Sequence, residues 1–594
     1  MAFVGICFST FSITECPRRL HMLLIAQLSL MLFFTPFLLS GFSWSPDSLW
    51  HGGVPRYLPQ ILSGSEIKFS QYAASYPFSF LTTYFVTEII GINIVSYTLY
   101  LYPLVACVLI AVLSYFFAAK VFGAKAGFLA MLFTLPMWHY IEPHGSPFSL
   151  GTILVLLTLV LMTCKSRLAF VLSFFTAIVV VLTHPISPIS LGSFMFACFF
   201  VGFFLRRYQG KSLVFSKDTS LSILLSLGII WFLWTLNIAI NSYQGVKTAF
   251  LSVLNLNFLD RILNVSQFAV GGQGFIFPEI HTLSLVIYGF FLVIIMFPLF
   301  EYLMHRLLVE QSLISIETLS KIFRALWIGV SSISVIWFLY WIFYDVIVWN
   351  KTLSQLRVTN YIGLILSTVL AILGAVLGRQ GIFEKLKTTF AQLNYTFYDK
   401  IILSFAAFMN ALVGVFLFLS SGERFLLGRG LLYFLFFGSM VFATYFLKSS
   451  QFGSKVRKVV ALSLVVFLFC SFPVISYSKE AYNSFTPSAE AGLTYLSSNV
   501  DLSKNSLSMG VDQQLASYID LSKDFVSVPF PPNLTYEYPD VIVLRINTYY
   551  IISMRYDLSF TDNSYIRLEE KLEMNSDYNK IYSNGRFEIF VHSD

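Results

Sequence analysis

Along this chain, apolar runs alternate with short connections in which the charged residues gather. A helix crossing hydrocarbon needs about 20 consecutive, mostly apolar residues. The pattern predicts about thirteen spans, at 22–42, 94–119, 125–141, 148–164, 168–183, 186–205, 219–241, 281–304, 323–346, 359–378, 401–420, 430–447 and 459–476. One apolar stretch, "YPFSFLTTYFVTEIIGI" (76–92), is too short for a comfortable crossing and carries Glu88, so it predicts an interfacial or re-entrant helix. At the N-terminus the short run "FVGICFSTF" precedes Arg18 and Arg19, the reverse of the order in a cleavable signal, so the first span is expected to be retained.

The pattern changes after residue 477. Residues 477–594 carry 9 Lys and Arg against 16 Asp and Glu, a net of −7, whereas the preceding 476 residues carry +14. "TPSAEAGLTYL" places Thr486 as an N-cap, Pro487 at the first helical position and Glu490 in the first turn. "FVSVPF" and "VIVLRI" read as buried strands, and "NKIYSNGRFEIFV" as a hairpin turning at Asn584-Gly585. The expected fold class is therefore an α-helical polytopic membrane protein with a small C-terminal extracytoplasmic α/β domain. Its expected divisions are a cytoplasmic N-terminus at 1–21, a membrane domain at 22–476 with a first outside loop at 43–93, and the α/β domain at 477–594.

Composition agrees with the pattern. Hydrophobic residues make up 57% and charged residues 12%, with a mean hydropathy of +0.74, whereas soluble proteins carry about 25% charge. With the N-terminus inside, the inside turns hold 21 Lys and Arg and the outside turns 8, which sets the expected orientation in a plasma membrane. The C-terminal domain then lies outside, where the sequon at Asn533 would be open to glycosylation, as would those at Asn264 and Asn350. The six cysteines show no paired spacing that would bind zinc or build a disulfide framework. No Gly-rich phosphate loop follows a strand, which argues against a soluble nucleotide-sugar donor, and no nucleic-acid partner is expected.

Ionised groups are costly at mid-bilayer, by about 2.5–3.5 kcal/mol on insertion scales, so polar residues beside spans mark interfaces or cavities. Here they fall on one side. Asp47, His51, Arg56 and Glu66 lie in the first outside loop, and His139, Glu142 and His144 in the second. His184 ends the fifth span, and Arg357, Glu423, Arg424 and Arg429 sit at later outside turns. Each has a plainer reading: Asp47 as the cap of a short helix, Glu142 and His144 as solvated loop residues, His184 as a helix terminator before Pro185, and Arg424 and Arg429 as snorkelling anchors.

Taken together, the layout resembles the GT-C superfamily of membrane glycosyltransferases, which includes protein O-mannosyltransferases, lipid A aminoarabinose transferase and oligosaccharyltransferase catalytic subunits. The likeness rests on one span, the aspartate-bearing loop "SPDSLWHGGVPRYLPQILSGS" and the helix "YPFSFLTTYFVTEIIGI". It continues through "IEPHGSPFSLG" and "LTHPIS", covering roughly residues 20–210. The tail with its "NKIYSNGRFEIF" hairpin resembles archaeal members, whereas the Trp-Trp-Asp motif of oligosaccharyltransferases is missing. The resemblance implies an inverting transfer from a polyisoprenyl-phosphate-linked sugar to a glycan or protein acceptor hydroxyl. Asp47 would act as general base with Glu142 as its catalytic partner, and Arg357, Arg424 or Arg429 would meet the departing phosphate. His51, Arg56, Glu66, His144 and His184 would complete substrate binding. No cofactor is expected; a divalent metal, if one took part, would fall to Asp47, Glu142 and His144. Two other classes compete: a transporter or flippase of lipid-linked sugars, for which internal repeats would speak, and a non-catalytic scaffold binding an envelope partner.

Overall fold

In the computed structural model of the chain the described residues are 18–34, 51, 54–58, 63, 70–135, 145–164, 166–204, 217–240, 247, 251, single positions between 315 and 343, 368, 397–421, 424–448, 491–492, 495, 499, 506–509, 525–527, 541–545, 573–574, 578–583 and 587–592. They are mostly helical. The expected spans at 281–304 and 459–476 and the helix start at Thr486 lie outside them.

Helix α1 is Arg18–Phe33, and a short helix, Ser70–Ser75, precedes α2, Pro77–Ile90. The segment expected at the interface is thus helical, opening on Pro77 and closing at Gly91. There φ is +71°, a left-handed cap that glycine adopts without steric cost. A single turn and a π-helical turn, Tyr97–Leu101, lead into α3, Tyr102–Phe122. Among the described residues α3 is long and apolar enough to cross a bilayer by itself. There follow α4 (Ala124–Thr134), α5 (Pro147–Met162), α6 (Arg167–Thr183), α7 (Ser187–Phe204), α8 (Lys217–Asn237), α9 (Phe397–Ser421) and α10 (Arg424–Lys448).

These helices pack as one body: α3 against α1, α4 and α5, α10 against α9 and α4, and α7 against α8 and α9. Rings knit the centre. Phe117 of α3 stacks on Phe436 of α10 at 5.9 Å, and Phe194 of α7 stacks on Phe437 at 5.3 Å. Helix α6 buries small residues, Ala169, Ser173 and Ala177, and exposes Leu168, Val171, Leu172 and Phe175 at spacings of three and four. Small residues inward and large apolar ones outward is the arrangement expected where the surrounding solvent is hydrocarbon.

Among the described residues five strands form a mixed sheet. They are β1 (Ser506–Met509), β2 (Phe525–Ser527), β3 (Val541–Arg545), β4 (Tyr578–Ser583) and β5 (Phe587–His592), in the spatial order β2-β1-β3-β5-β4. β1 pairs in parallel with β2 and β3, whereas β5 runs antiparallel to both β3 and β4, with a register shift between Lys580 and Tyr582. The two expected strands and the hairpin are present, and β1 is an addition. Ile589 and Phe590 are buried in it.

Candidate anion-binding site

Three short structural devices bring polar groups together at the start of α5. The first is the segment after the opening span. Val54 and Leu58 form an apolar cluster with Ala73 and Phe80, which docks this segment on α2. The His51 ring lies 5.8 Å from Phe80. Helix α2 itself packs against α5 and α6, so His51 is carried toward the ends of those helices.

The second is the end of α6. Pro185 disfavours helical backbone in the residue before it, and His184 is extended (φ −160°, ψ 143°). Its N–H still donates to the Val180 carbonyl at 3.4 Å. The Ile186 N–H then donates to His184 Nδ1 at 3.2 Å. An accepting Nδ1 leaves the proton of the neutral ring on Nε2. His184 is 3% exposed. Burial first, then the nearby Arg429 and His51 charges, hold its pKa well below the ordinary imidazole range, in the turn beyond the helix. This side chain is therefore a neutral Nε2–H donor at pH 7.

The third is a pair of side-chain contacts between α5 and α10. Ser146 caps α5 by accepting the Ser149 N–H at 3.2 Å, and Pro147 fixes the first helical position. Phe148, buried directly behind them, meets the His184 ring at 5.0 Å. Arg429 Cζ lies over the same phenyl ring, 4.5 Å from its centre. One turn further along both helices, the Tyr433 hydroxyl donates to Thr152 Oγ1 at 3.3 Å, and the Thr152 hydroxyl donates to the Phe148 carbonyl at 3.0 Å. Two contacts spaced by four residues on each helix fix the register of Arg429 against Phe148.

Of the residues expected at the site, the structure brings together His51, His184 and Arg429. Arg56 falls in the 3-10 turn Val54–Tyr57 and Arg424 opens α10, both placed by backbone alone. Asp47, Glu66, His139, Glu142, His144, Arg357 and Glu423 lie outside the described residues. So do all three residues nominated for a divalent ion. Phe148, Thr152 and Tyr433 were not foreseen, although the shared i, i+4 spacing of Phe148 with Thr152 and of Arg429 with Tyr433 is visible in the sequence.

Among the described residues, the Arg429 guanidinium and the neutral His184 ring offer N–H donors of the kind that an anion accepts from. A half-buried Arg429 can give a phosphate or carboxylate a planar pair of donors, each charge-assisted bond contributing about 1.5–3 kcal/mol.

No family model matches the chain, and no curated protein matches it significantly. Among solved structures it is similar to ArnT from Cupriavidus metallidurans bound to undecaprenyl phosphate, at 15% identity and a TM-score of 0.38 over 96% of this chain and 97% of that one. It is also similar to the archaeal oligosaccharyltransferase AglB from Archaeoglobus fulgidus in complex with an inhibitory peptide and a dolichol-phosphate. There the identity is 12% and the TM-score 0.43 over 97% of this chain and 74% of that one. A second structure of the Archaeoglobus fulgidus oligosaccharyltransferase, tethered to an acceptor peptide, matches at 13% identity and a TM-score of 0.42, with the same coverage. Similarity this distant leaves the chain's activity to be argued from its own residues.

Proposed function

We propose that this chain is an integral membrane glycosyltransferase that moves a sugar from a polyisoprenyl-phosphate donor to the hydroxyl of an extracytoplasmic glycan or protein acceptor. The observation that carries this reading is the meeting of His184 and Arg429 on Phe148 with His51 near enough to act on His184, a cationic and hydrogen-bonding cluster built on hydrophobic helices. A lipid carrying a phosphate is the ligand whose two halves suit such a place.

In this reading Asp47 takes the proton of the acceptor hydroxyl as that oxygen attacks the anomeric carbon, and the bond from that carbon to the phosphate oxygen breaks with inversion. Negative charge grows on the departing phosphate. Arg429 meets it, with Arg424 or Arg357 beside it, and the His184 Nε2–H donates without adding charge of its own. Glu142, His144, Glu66, Arg56 and His51 contact the sugar and acceptor from the two outside loops. The bilayer confines the isoprenyl chain to one face, which supplies part of the orientation. The wider plan is thirteen spans in the plasma membrane, with residues 1–21 cytoplasmic and 477–594 forming an extracytoplasmic α/β domain.

The test is transfer from labelled lipid-linked sugar in membranes containing the full chain. Asp47→Asn is expected to abolish transfer while the protein still inserts at wild-type level. Wild-type transfer by that variant would remove the proposed mechanism.

A further inference from the structure

We infer that Phe148 is a positioning residue of the lipid-phosphate site, its ring holding the Arg429 guanidinium by a cation–π contact so that the guanidinium and the His184 imidazole address one phosphate. The inference rests on the reading of Arg429 as a phosphate ligand. The Cζ of Arg429 stands 4.5 Å from the centre of the phenyl ring, inside the range of cation–π attraction. All five N–H donors of a guanidinium lie in its own plane. A ring at this distance restrains the position of the guanidinium carbon from which those donors extend. The same ring lies 5.0 Å from His184, at an interplanar angle of 59°.

Phe148 is itself held. It is 3% exposed, Ser146 and Pro147 fix the turn it stands in, and its carbonyl accepts from Thr152, to which Tyr433 of α10 is tied. A flexible cation would lose side-chain entropy on meeting a phosphate, and a cation already held against a ring loses less. The ring therefore acts on affinity for the phosphate through Arg429 rather than by touching it.

The test uses the full chain in nanodiscs, with undecaprenyl phosphate and dolichyl phosphate as probes. Phe148→Leu is expected to weaken binding of the monophosphate roughly 2- to 12-fold, the cost of ordering a side chain that the ring no longer holds. Fluorinated phenylalanines at position 148 keep the shape of the ring but withdraw charge from its face. Binding should weaken stepwise with each added fluorine, at an unchanged melting temperature. Affinity that ignores fluorination overturns the inference, even if Phe148→Leu fails to fold. Arg429→Ala separates the two ideas: if it abolishes binding while the fluorinated series is flat, the phosphate site stands and the role of Phe148 falls. If Arg429→Ala binds like wild type, the phosphate site itself falls and the inference with it.

Discussion

His184 is neutral because three causes act in the same direction: a buried ring, a guanidinium nearby and a second imidazole. Its ordinary pKa is about 6.5 in the unfolded chain, and in the folded protein it is well below that. Between those two values the unfolded state binds a proton that the folded state does not, so stability falls as the pH drops below about 6.5. We predict that the melting temperature of the detergent-purified protein declines from about pH 7.5 to about pH 5.5. His184→Gln should flatten that decline, and an identical pH profile in the variant would contradict the assignment. At this scale the sequence was informative where a residue is rare. Eight histidines in 594 residues stand out against apolar neighbours, and "LTHPIS" marked His184 by its proline alone. Phe148 is one of 63 phenylalanines. Nothing in its local context separates a ring that holds a cation from one that fills space, because that distinction is made by Arg429, 281 positions away.

Elements were legible where their ends are chemically marked. The Tyr-Pro opening and the glycine closing of α2 set its limits, since proline starts a helix without losing a hydrogen bond and glycine accepts the left-handed cap. The hairpin of β4 and β5 was visible through Asn584-Gly585. Strand β1, "SLSM", was not, because four residues with serine at alternate positions have neither the length nor the β-branched content of a strand signal. How closely two helices approach is also hidden in sequence until the structure pairs them. A Cβ placed on Gly430 of α10 would come within 2.3 Å of Gly414 Cα on α9. Gly430 follows Arg429 directly, so the depth of that crossing sets where the guanidinium stands. Gly430→Ala should lower stability by about 1–3 kcal/mol through forced separation of the pair. It should also weaken phosphate binding. Gly228→Ala on α8, where an added Cβ meets nothing within 4 Å, serves as the control and should leave both unchanged. Equal melting temperatures for the two variants would show that the α9–α10 approach is not constrained at this point.

For the molecule as a whole, the proposed topology makes one sided prediction. In that proposal the lysine and arginine bias puts residues 477–594 outside. Protease added to right-side-out vesicles should then remove an epitope placed after residue 594, and protease added to inverted vesicles should leave it intact. The opposite pattern would invert the membrane domain and take Asp47 away from any extracytoplasmic acceptor. The helical class was readable from apolar run length alone, and the sheet was readable only in pieces, because strand order is a matter of which distant segments meet. That order has its own consequence. β5, the latest strand in sequence, is not an edge: it lies between β3 and β4, and the parallel partners β1 and β2 are joined to it through β3. During synthesis β3 must therefore wait with one flank unsatisfied until some forty further residues have left the ribosome. A ribosome that stalls within that interval would release a chain whose helices are already in the bilayer but whose exposed flank invites pairing with a neighbouring copy.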